Sequence, residues 1–408
     1  MAAMIKFFLT LLASITLIGY CKAQAPYSDT LDVVNWNLRY FADPTHNNPA
    51  KQVSKVRTIM NNLNADVYAI CEVVDVDSFA QLAHTINGNY DYTVSTFGSF
   101  ANNTSDPDYA SAQKLGFIYR KSMVRNISTR RMMGNSNNAY YNFSSGRLPF
   151  QVNAEVLGKD SAWHNVTFMV MHAKAEADND ACTRRVAACH ELKDTLDHYF
   201  VNKPFLLLGD YNDDLDQTIC SNYSVSNYSY LLADSAHYHA LTLAISKAGA
   251  ISIDGYTTLI DHVFASNSMF HYYVPNSAHS LRTEVKSWVN NYNYDVSDHF
   301  PVRTQYVLYD TVTSNPPPDT TTGVNEINAA RQISIYPNPA NAFLTIDNKN
   351  AVYNEMAIYS VEGKKILSSQ LEAGVNTIAT GALSAGIYLL RVSGSKWQPQ
   401  NFRLIVTH

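Results

Sequence analysis

Residues 206–216 read LLLGDYNDDLD, three leucines and a glycine running directly into four aspartates and one asparagine. Leucines in a row belong in a core, where an unpaired carboxylate costs more than their burial returns. The charge therefore marks where a buried strand reaches the edge of its sheet and meets solvent or a cation. Asp210 and Asn212 lie two residues apart, so in an extended segment both side chains project to one side, an ionised acceptor beside a neutral amide. Such a pair can hold a water and a phosphate oxygen together. Asp213, Asp214 and Asp216 read as a solvated turn.

The same ending recurs along the chain. "LDVVNWNL" (31–38) closes on Asn37, "DVYAICEV" (66–73) on Glu72, and "TFMVM" is followed by His172. "YTTLI" is followed by Asp261 and His262, and "VSDHFPV" carries Asp298 and His299. Between the first two strands Val53, Val56, Met60 and Leu63 recur at helical spacing, and a helix from Thr183 to Phe200 turns Val186, Cys189, Leu192 and Leu196 inward. Strands alternating with amphipathic helices give an α/β body. Polar groups at strand ends can converge in one cleft, and the repulsion among clustered carboxylates is most simply relieved by a divalent cation. Taken singly, an Asp-His pair at a loop often satisfies only its own hydrogen bonds. Glu72 is the exception, because a carboxylate directly after "YAIC" needs something cationic to meet it.

A chain of 408 residues suggests a large domain plus a smaller one. Its 27 tyrosines and many asparagines suit an extracellular surface, and a net charge of -5 excludes coating a polyanion by bulk charge. At the N-terminus Lys6 precedes an apolar run from Phe7 to Ile18, with Ala23 and Ala25 in an A-x-A arrangement. Residues 1–25 therefore read as a secretory signal peptide, too short in its apolar part for a membrane anchor. Lipidation at Cys21 is not expected, because Tyr20 stands where a small residue is wanted. The mature chain keeps Cys71, Cys182, Cys189 and Cys220. Cys71 lies in an apolar run and reads as a buried thiol, while Cys182 and Cys189 on one helix would sit about 10 Å apart along its axis. A bridge from Cys220 to one of those two is expected.

"SNPPPDTTTG" (314–323) has no periodicity and marks a linker, assigned to 311–330, that separates the body (26–310) from a tail (331–408). The tail alternates apolar and polar residues in "FLTID", "EMAIYS" and "GIYLLRVSG", as in a small all-β sandwich. Its "ISIYPNPANAFLTID", "YSVEGKKIL" and "GALSAGIYLLRVSG" resemble the type IX secretion C-terminal sorting domain. That resemblance implies engagement of the secretion machinery and an address across the outer membrane, with an adhesive or carbohydrate-binding module as the alternative.

In the body, "NWNLRY", "VYAICEV", "GRLPFQV", "MHAKA", "LLGDYNDD", "LIDHVFAS" and "SDHFPV" occur in the order seen in the endonuclease/exonuclease/phosphatase superfamily, which the chain resembles over residues 31–304. The resemblance implies a four-layer α/β sandwich, two packed mixed β-sheets flanked by helices, and an Mg2+-dependent phosphoester hydrolase. Mn2+ is an alternative occupant and structural Ca2+ sites stay open. By resemblance Glu72 is the principal metal ligand, with Asn37 nearby and Asp298 on the metal side. Asp210 orients or deprotonates the attacking water, and Asn212 holds the phosphate. His299, oriented by Asp261, is a general acid or base, and His172 bonds the phosphate or protonates the leaving oxygen. Arg147 and Lys174 contact substrate phosphate; His262 is left structural. Secreted deoxyribonucleases of the superfamily often carry a Glu where Gln113 stands, orienting the first histidine, and a Gln there weakens the acid role of His172.

Lys174, Arg184 and Arg185 with Arg147 and Arg39 could form a local phosphate track on an otherwise acidic protein, and such contacts are indifferent to base sequence. The expected activity is a secreted, sequence-tolerant endonuclease cleaving DNA or RNA. A phosphodiesterase on phospholipid or sphingomyelin head groups, or a non-catalytic surface protein, are the alternatives. A monomer without stable membrane insertion after processing is expected.

Overall fold

The structure, a computed structural model, describes residues 30–309 and 333–407 apart from 337, 339, 349–352, 361–363 and 395–396. The expected leader (1–25) and linker (311–330) lie outside the described residues. The chain divides between Val312 and Thr313 into two compact units.

The large unit is built on strands β1 (Leu31–Phe41), β2 (Val67–Val73), β3 (Tyr90–Val94), β4 (Lys114–Arg120), β5 (Val124–Arg131), β6 (Phe150–Leu157), β7 (Trp163–His172), β8 (Phe205–Asp210), β9 (Tyr238–Ala240), β10 (Asp261–Ser266), β11 (His279–Ser280) and β12 (Val302–Tyr306). They form two six-stranded mixed sheets, ordered β11-β12-β1-β2-β4-β3 and β5-β6-β7-β8-β10-β9. Each sheet has one parallel pair, β1 with β2 and β7 with β8, joined by a helical crossover: α1 (Pro49–Leu63) in the first sheet and, after the short α2 (Val76–Thr85) and α3 (Asn137–Asn142), α4 (Asn179–Tyr199) in the second. Local chemistry sets these helices. Asn48 and Asp178 accept backbone N–H bonds at the N-termini of α1 and α4, and Asn64 ends α1 in the left-handed region.

Strand alternation makes the layers. In β1, Leu31 and Val33 enter the core between the sheets, while Val34, Trp36 and Leu38 pack in the separate cluster that contains Val53, Val56 and Met60 of α1. Both faces of each sheet are covered, which is the four-layer α/β sandwich. Within the interlayer, Asn35 Nδ2 donates to Gly209 O at 2.8 Å and so ties the first sheet to the second.

Two sequence readings change. "YTTLI" is loop, and Asp261 opens β10 instead of following a strand. Because β10 runs antiparallel to β8, with Asp261 opposite Asp210, the start of one strand meets the end of the other, and the polar residues still share an edge. Helix α4 begins at Asn179, four residues before the expected Thr183, because Asp178 caps it; Val186 is only half-buried, and the charged Arg184 and Arg185 are buried beside Cys189 and Leu192.

The small unit consists of β13 (Ile333–Tyr336), β14 (Phe343–Asn348), β15 (Glu355–Tyr359), β16 (Lys365–Gln370), β17 (Gly374–Ala379), β18 (Gly386–Gly394) and β19 (Trp397–Val406). These make a three-stranded sheet, β13-β14-β17, and a four-stranded one, β16-β15-β18-β19, around a core that includes Leu344, Ile346, Met356, Ile358 and Leu390. No described helix is long and apolar enough to cross a membrane.

Gly209 sits at φ +150° with Asn35 on its carbonyl, and a Cβ there would lie 1.8 Å from Met171 O of β7. Gly209→Ala is expected to lower the unfolding free energy by at least ~2 kcal/mol, read from urea denaturation, because either β7 or β8 must shift.

Candidate active site

The ends of β1, β2, β7 and β8 and the starts of β10 and β12 lie along one edge of the sandwich. On the inner face of β1, Leu31 and Val33 give way to Asn35 and Asn37 as the strand approaches that edge. In β8, Leu206 and Leu208 give way to Asp210 in the same manner. Glu72 arrives by another route. Val67, Ala69 and Cys71 share the inner face of β2, so plain alternation would send residue 72 outward with Tyr68 and Ile70. Instead the pairing of β2 shifts register past Ile70, and Glu72 takes φ +64°. This bulge turns its carboxylate into the site.

The carboxamide of Asn37 holds the centre together. Its Nδ2 donates to Glu72 Oε1 at 2.9 Å and to Asp210 Oδ2 at 2.9 Å, one carboxylate from each sheet. Its Oδ1 accepts from Arg39 N at 2.9 Å. Asn37, expected beside the metal, is thus placed as a double donor. Glu72 Oε2 accepts from Tyr40 N at 2.9 Å and from Gln113 Nε2 at 2.7 Å, and Gln113 Oε1 accepts from Arg147. Gln113 therefore links Glu72 to Arg147 and makes no bond to His172, whose Nδ1 is buried without a partner. Arg147 also donates to Ala173 O at 2.9 Å and to Ser144 Oγ at 2.9 Å.

Both imidazoles converge on Asp210. His172 Nε2 lies 3.4 Å from Asp210 Oδ2 and 3.8 Å from Glu72 Oε1; His299 Nε2 lies 3.7 Å from Asp210 Oδ2. Asp261 Oδ2 meets His299 Nδ1 at 2.8 Å. Burial alone would hold His299 neutral, but the charges of Asp261 and Asp210 lift its pKa to about 10. His172 has burial and the charges of Arg147 and His299 against it, and falls well below the usual imidazole range. Burial raises Asp210 to about 6, with His299 opposing the rise.

The remaining expected residues are less central. Asn212 bonds its own backbone N–H to Asp210 Oδ1 at 2.9 Å and reaches Ala173 O at 3.3 Å. Asp298 lies 3.6 Å from Arg39 Nε, with Oδ1 buried and unpartnered. The Lys174 ammonium donates to Ala175 O at 2.9 Å. His262 is buried against Thr242 Oγ1 at 2.9 Å, in keeping with a structural residue.

Two readings are corrected. Asp213 and Asp214 are buried, not solvated: Asp213 accepts from Ile219 N at 2.8 Å and Asn227 N at 2.7 Å, and Asp214 from Leu259 N at 3.0 Å, so both organise loops beside the site. The phosphate track loses two members. Arg185 is fully buried, donating to Lys174 O at 2.7 Å, Glu176 O at 2.6 Å and Asn227 Oδ1 at 2.8 Å, and it contacts both sulfurs of the Cys182–Cys220 disulfide. Arg184 donates to Tyr141 O and packs on that ring. Cys71 and Cys189 are free and buried. Sequence reasoning also missed Ser297, whose Oγ donates to Asn37 O at 2.7 Å and accepts from His299 N at 3.0 Å, and Trp36, which donates to His299 O at 3.2 Å. The serine of "VSDHFPV" was the available signal for the first.

Among the described residues, Glu72 and Asp210 face the guanidinium of Arg147 and Asp298 that of Arg39, and buried Asp261 Oδ1 and Asp298 Oδ1 have no hydrogen-bond partner. Asp210, Asp261 and His299 offer ligand atoms within 4.8 Å of one another, so this buried cluster could hold a metal ion. With Asp261 Oδ2 engaged on His299 Nδ1, the oxygens left open are Asp261 Oδ1 and Asp298 Oδ1. The residues present fit a divalent cation.

Comparison with known structures shows which folds that of this chain is similar to. Its fold is that of a solved endonuclease/exonuclease/phosphatase protein from Beutenbergia cavernae, with 15% identity, 92% of this chain and 100% of that one covered, and a TM-score of 0.50. An endonuclease/exonuclease/phosphatase protein from Bacteroides vulgatus (13% identity, 69% and 99% covered, TM-score 0.49) and the human Nocturnin catalytic domain with bound sulfate (14%, 68% and 93%, TM-score 0.48) are also similar. No curated protein matches the chain in sequence. Residues 334–406 match the family described as the secretion system C-terminal sorting domain. The tail is thus the type IX sorting domain, and the protein is secreted or held at the cell surface.

Two outcomes are expected from this geometry. Removing the disulfide in a Cys182→Ser, Cys220→Ser chain releases a loop spanning 38 residues and is expected to cost about 4 kcal/mol of stability in urea titration. Asn37→Asp places a third carboxylate between Glu72 and Asp210 and is expected to cost about 3 kcal/mol or more at neutral pH in EDTA, seen as a lowered urea midpoint.

Proposed function

We propose that the protein is a secreted, divalent-cation-dependent phosphodiester hydrolase acting on nucleic acid, with Mg2+ as the working ion. The observation that carries this reading is the meeting of Glu72 and Asp210, one from each sheet, with the Asp261–His299 pair at a single buried edge. The fold shared with an endonuclease/exonuclease/phosphatase protein supports it.

Glu72 and Asp298 would hold the cation, with Asn37 beside it, and such hard oxygen donors suit Mg2+. When bound, the ion supplies Lewis-acid polarisation of a phosphoryl oxygen. Asp210 accepts the proton of the attacking water and Asn212 hydrogen-bonds a phosphate oxygen from the adjoining turn. His299, fixed by Asp261 on Nδ1, presents Nε2–H to an oxygen of the reacting phosphate. His172 is neutral and hydrogen-bonds the phosphate or the leaving oxygen. Arg147, anchored through Gln113 and the Ala173 carbonyl, offsets the charge that builds at phosphorus. Lys174 lies at the rim, and no base-reading element is part of this set, so cleavage is tolerant of sequence.

The test is hydrolysis of DNA, supplied as supercoiled plasmid and as heat-denatured strands, with Mg2+ or with EDTA, beside a sphingomyelin assay. Cleavage is expected with Mg2+ and not with EDTA, and His299→Ala is expected to lower kcat about 10²- to 10⁴-fold. Lipid hydrolysis without DNA cleavage would move the substrate to phospholipid head groups, and no hydrolysis of either would make the fold a binding scaffold.

A further inference from the structure

Five aromatic side chains of the large unit are more than half exposed among the described residues: Phe100, Tyr141, Tyr199, Tyr256 and Tyr294. Tyr199 ends α4 at the edge where β8 begins, opposite the site. The other four stand on connections that leave the site's own edge: Phe100 between β3 and β4, Tyr141 on α3 between β5 and β6, Tyr256 before β10 and Tyr294 on a helical turn before β12.

These four fall into two pairs. Phe100 N donates to Ser145 O at 2.7 Å, joining its segment to the one that carries Tyr141, and these two segments also carry Gln113, which meets Glu72, and Arg147, which meets Gln113. Asp254 N donates to Asp298 O at 2.7 Å, and Asn293 Nδ2 donates to the Asp254 carboxylate. Tyr256 and Tyr294 therefore flank Asp298 and His299. The centre lies between a ring pair on the Glu72 flank and a ring pair on the His299 flank.

Rings on both sides of the reacting phosphorus fit a substrate with a flat, ring-bearing group on each side, which a terminal phosphomonoester lacks. We propose that the substrate is single-stranded nucleic acid, whose unpaired bases stack on these rings while the intervening phosphodiester enters the site. This rests on the hydrolase reading above and adds the strand preference. A duplex hides its base faces from such rings, whereas an unpaired base presents its face to them; phosphate contacts by Lys and Arg serve both forms alike. A lipid surface fits less well, since interfacial binding needs a contiguous aliphatic face as well as rings, and among the described residues of this unit the large exposed aliphatic side chains are Val201 and Val225, on separate loops.

The experiment is fluorescence anisotropy of the full chain with a 5′-labelled single-stranded DNA and with a hairpin duplex of the same sequence, in Mg2+ and in the His299→Ala background to prevent turnover. The single strand is expected to bind at least tenfold tighter. Tyr256→Ala and Tyr294→Ala are each expected to raise its Kd about 5- to 150-fold, with Tyr199→Ala as the unaffected control. Both rings are so exposed that their removal leaves the core intact. Equal affinity for the hairpin, an unchanged Kd in both tyrosine variants, or co-sedimentation with phosphatidylcholine–sphingomyelin vesicles that these variants abolish would overturn the proposal. Failure of the hydrolase reading is seen separately, as a wild-type chain that cleaves neither plasmid nor denatured DNA.

Discussion

The site depends on one amide. Asn37 reaches from the first sheet and gives one N–H to Glu72 and the other to Asp210 of the second sheet. Two carboxylates drawn out of water in so small a space repel, and each N–H to a carboxylate returns about 1.5–3 kcal/mol of that cost. The repulsion is reduced without being cancelled. What remains is a preformed site with a deficit of positive charge, the condition under which a cation binds.

The surrounding structure keeps those groups from relaxing apart. Asn35, one alternation earlier on β1, binds the Gly209 carbonyl and fixes the spacing of the sheets directly beneath the site. Ser297 joins the backbone of Asn37 to that of His299, so the histidine is indexed to the same strand as the amide. Arg185 does similar work on the other flank, where it ties the loop after β7 to Asn227 and to the disulfide. Glu72 is held at a positive φ by its bonds to Tyr40 N, Asn37 and Gln113. A non-glycine residue in that region stores about 1–3 kcal/mol, tolerated when several bonds define the position together.

Much of the site was legible because a strand that ends in charge declares its own edge. Asp210 and His172 close apolar runs, and Asp298 and His299 precede one, so their gathering follows once the strands share a sheet edge. Asp261 reaches the same edge by another route, since it opens an antiparallel strand. Arg184 and Arg185 lie inside against their sequence reading, because helix spacing gives a face without saying what covers it: Tyr141 of α3 covers Arg184, and a loop 35 residues further on, held by Cys220, covers Arg185. Asp213 and Asp214 differ from their local pattern in the same way: aspartates in a short stretch look solvated until the 217–228 segment brings backbone N–H groups to Asp213 and the loop before β10 brings that of Leu259 to Asp214.

The sequence by itself determined the α/β body, the separate all-β sorting tail and the set of polar residues at one edge, because alternation and helical period are local properties that side-chain hydrophobicity imposes on any chain. Tertiary structure alone decided which way Glu72 points, that Asn37 donates to two carboxylates, that Gln113 serves Glu72 and Arg147, and which arginines are free. Those outcomes depend on a bulge and on loops meeting across long separations, where each group's role is set by partners that local pattern does not specify.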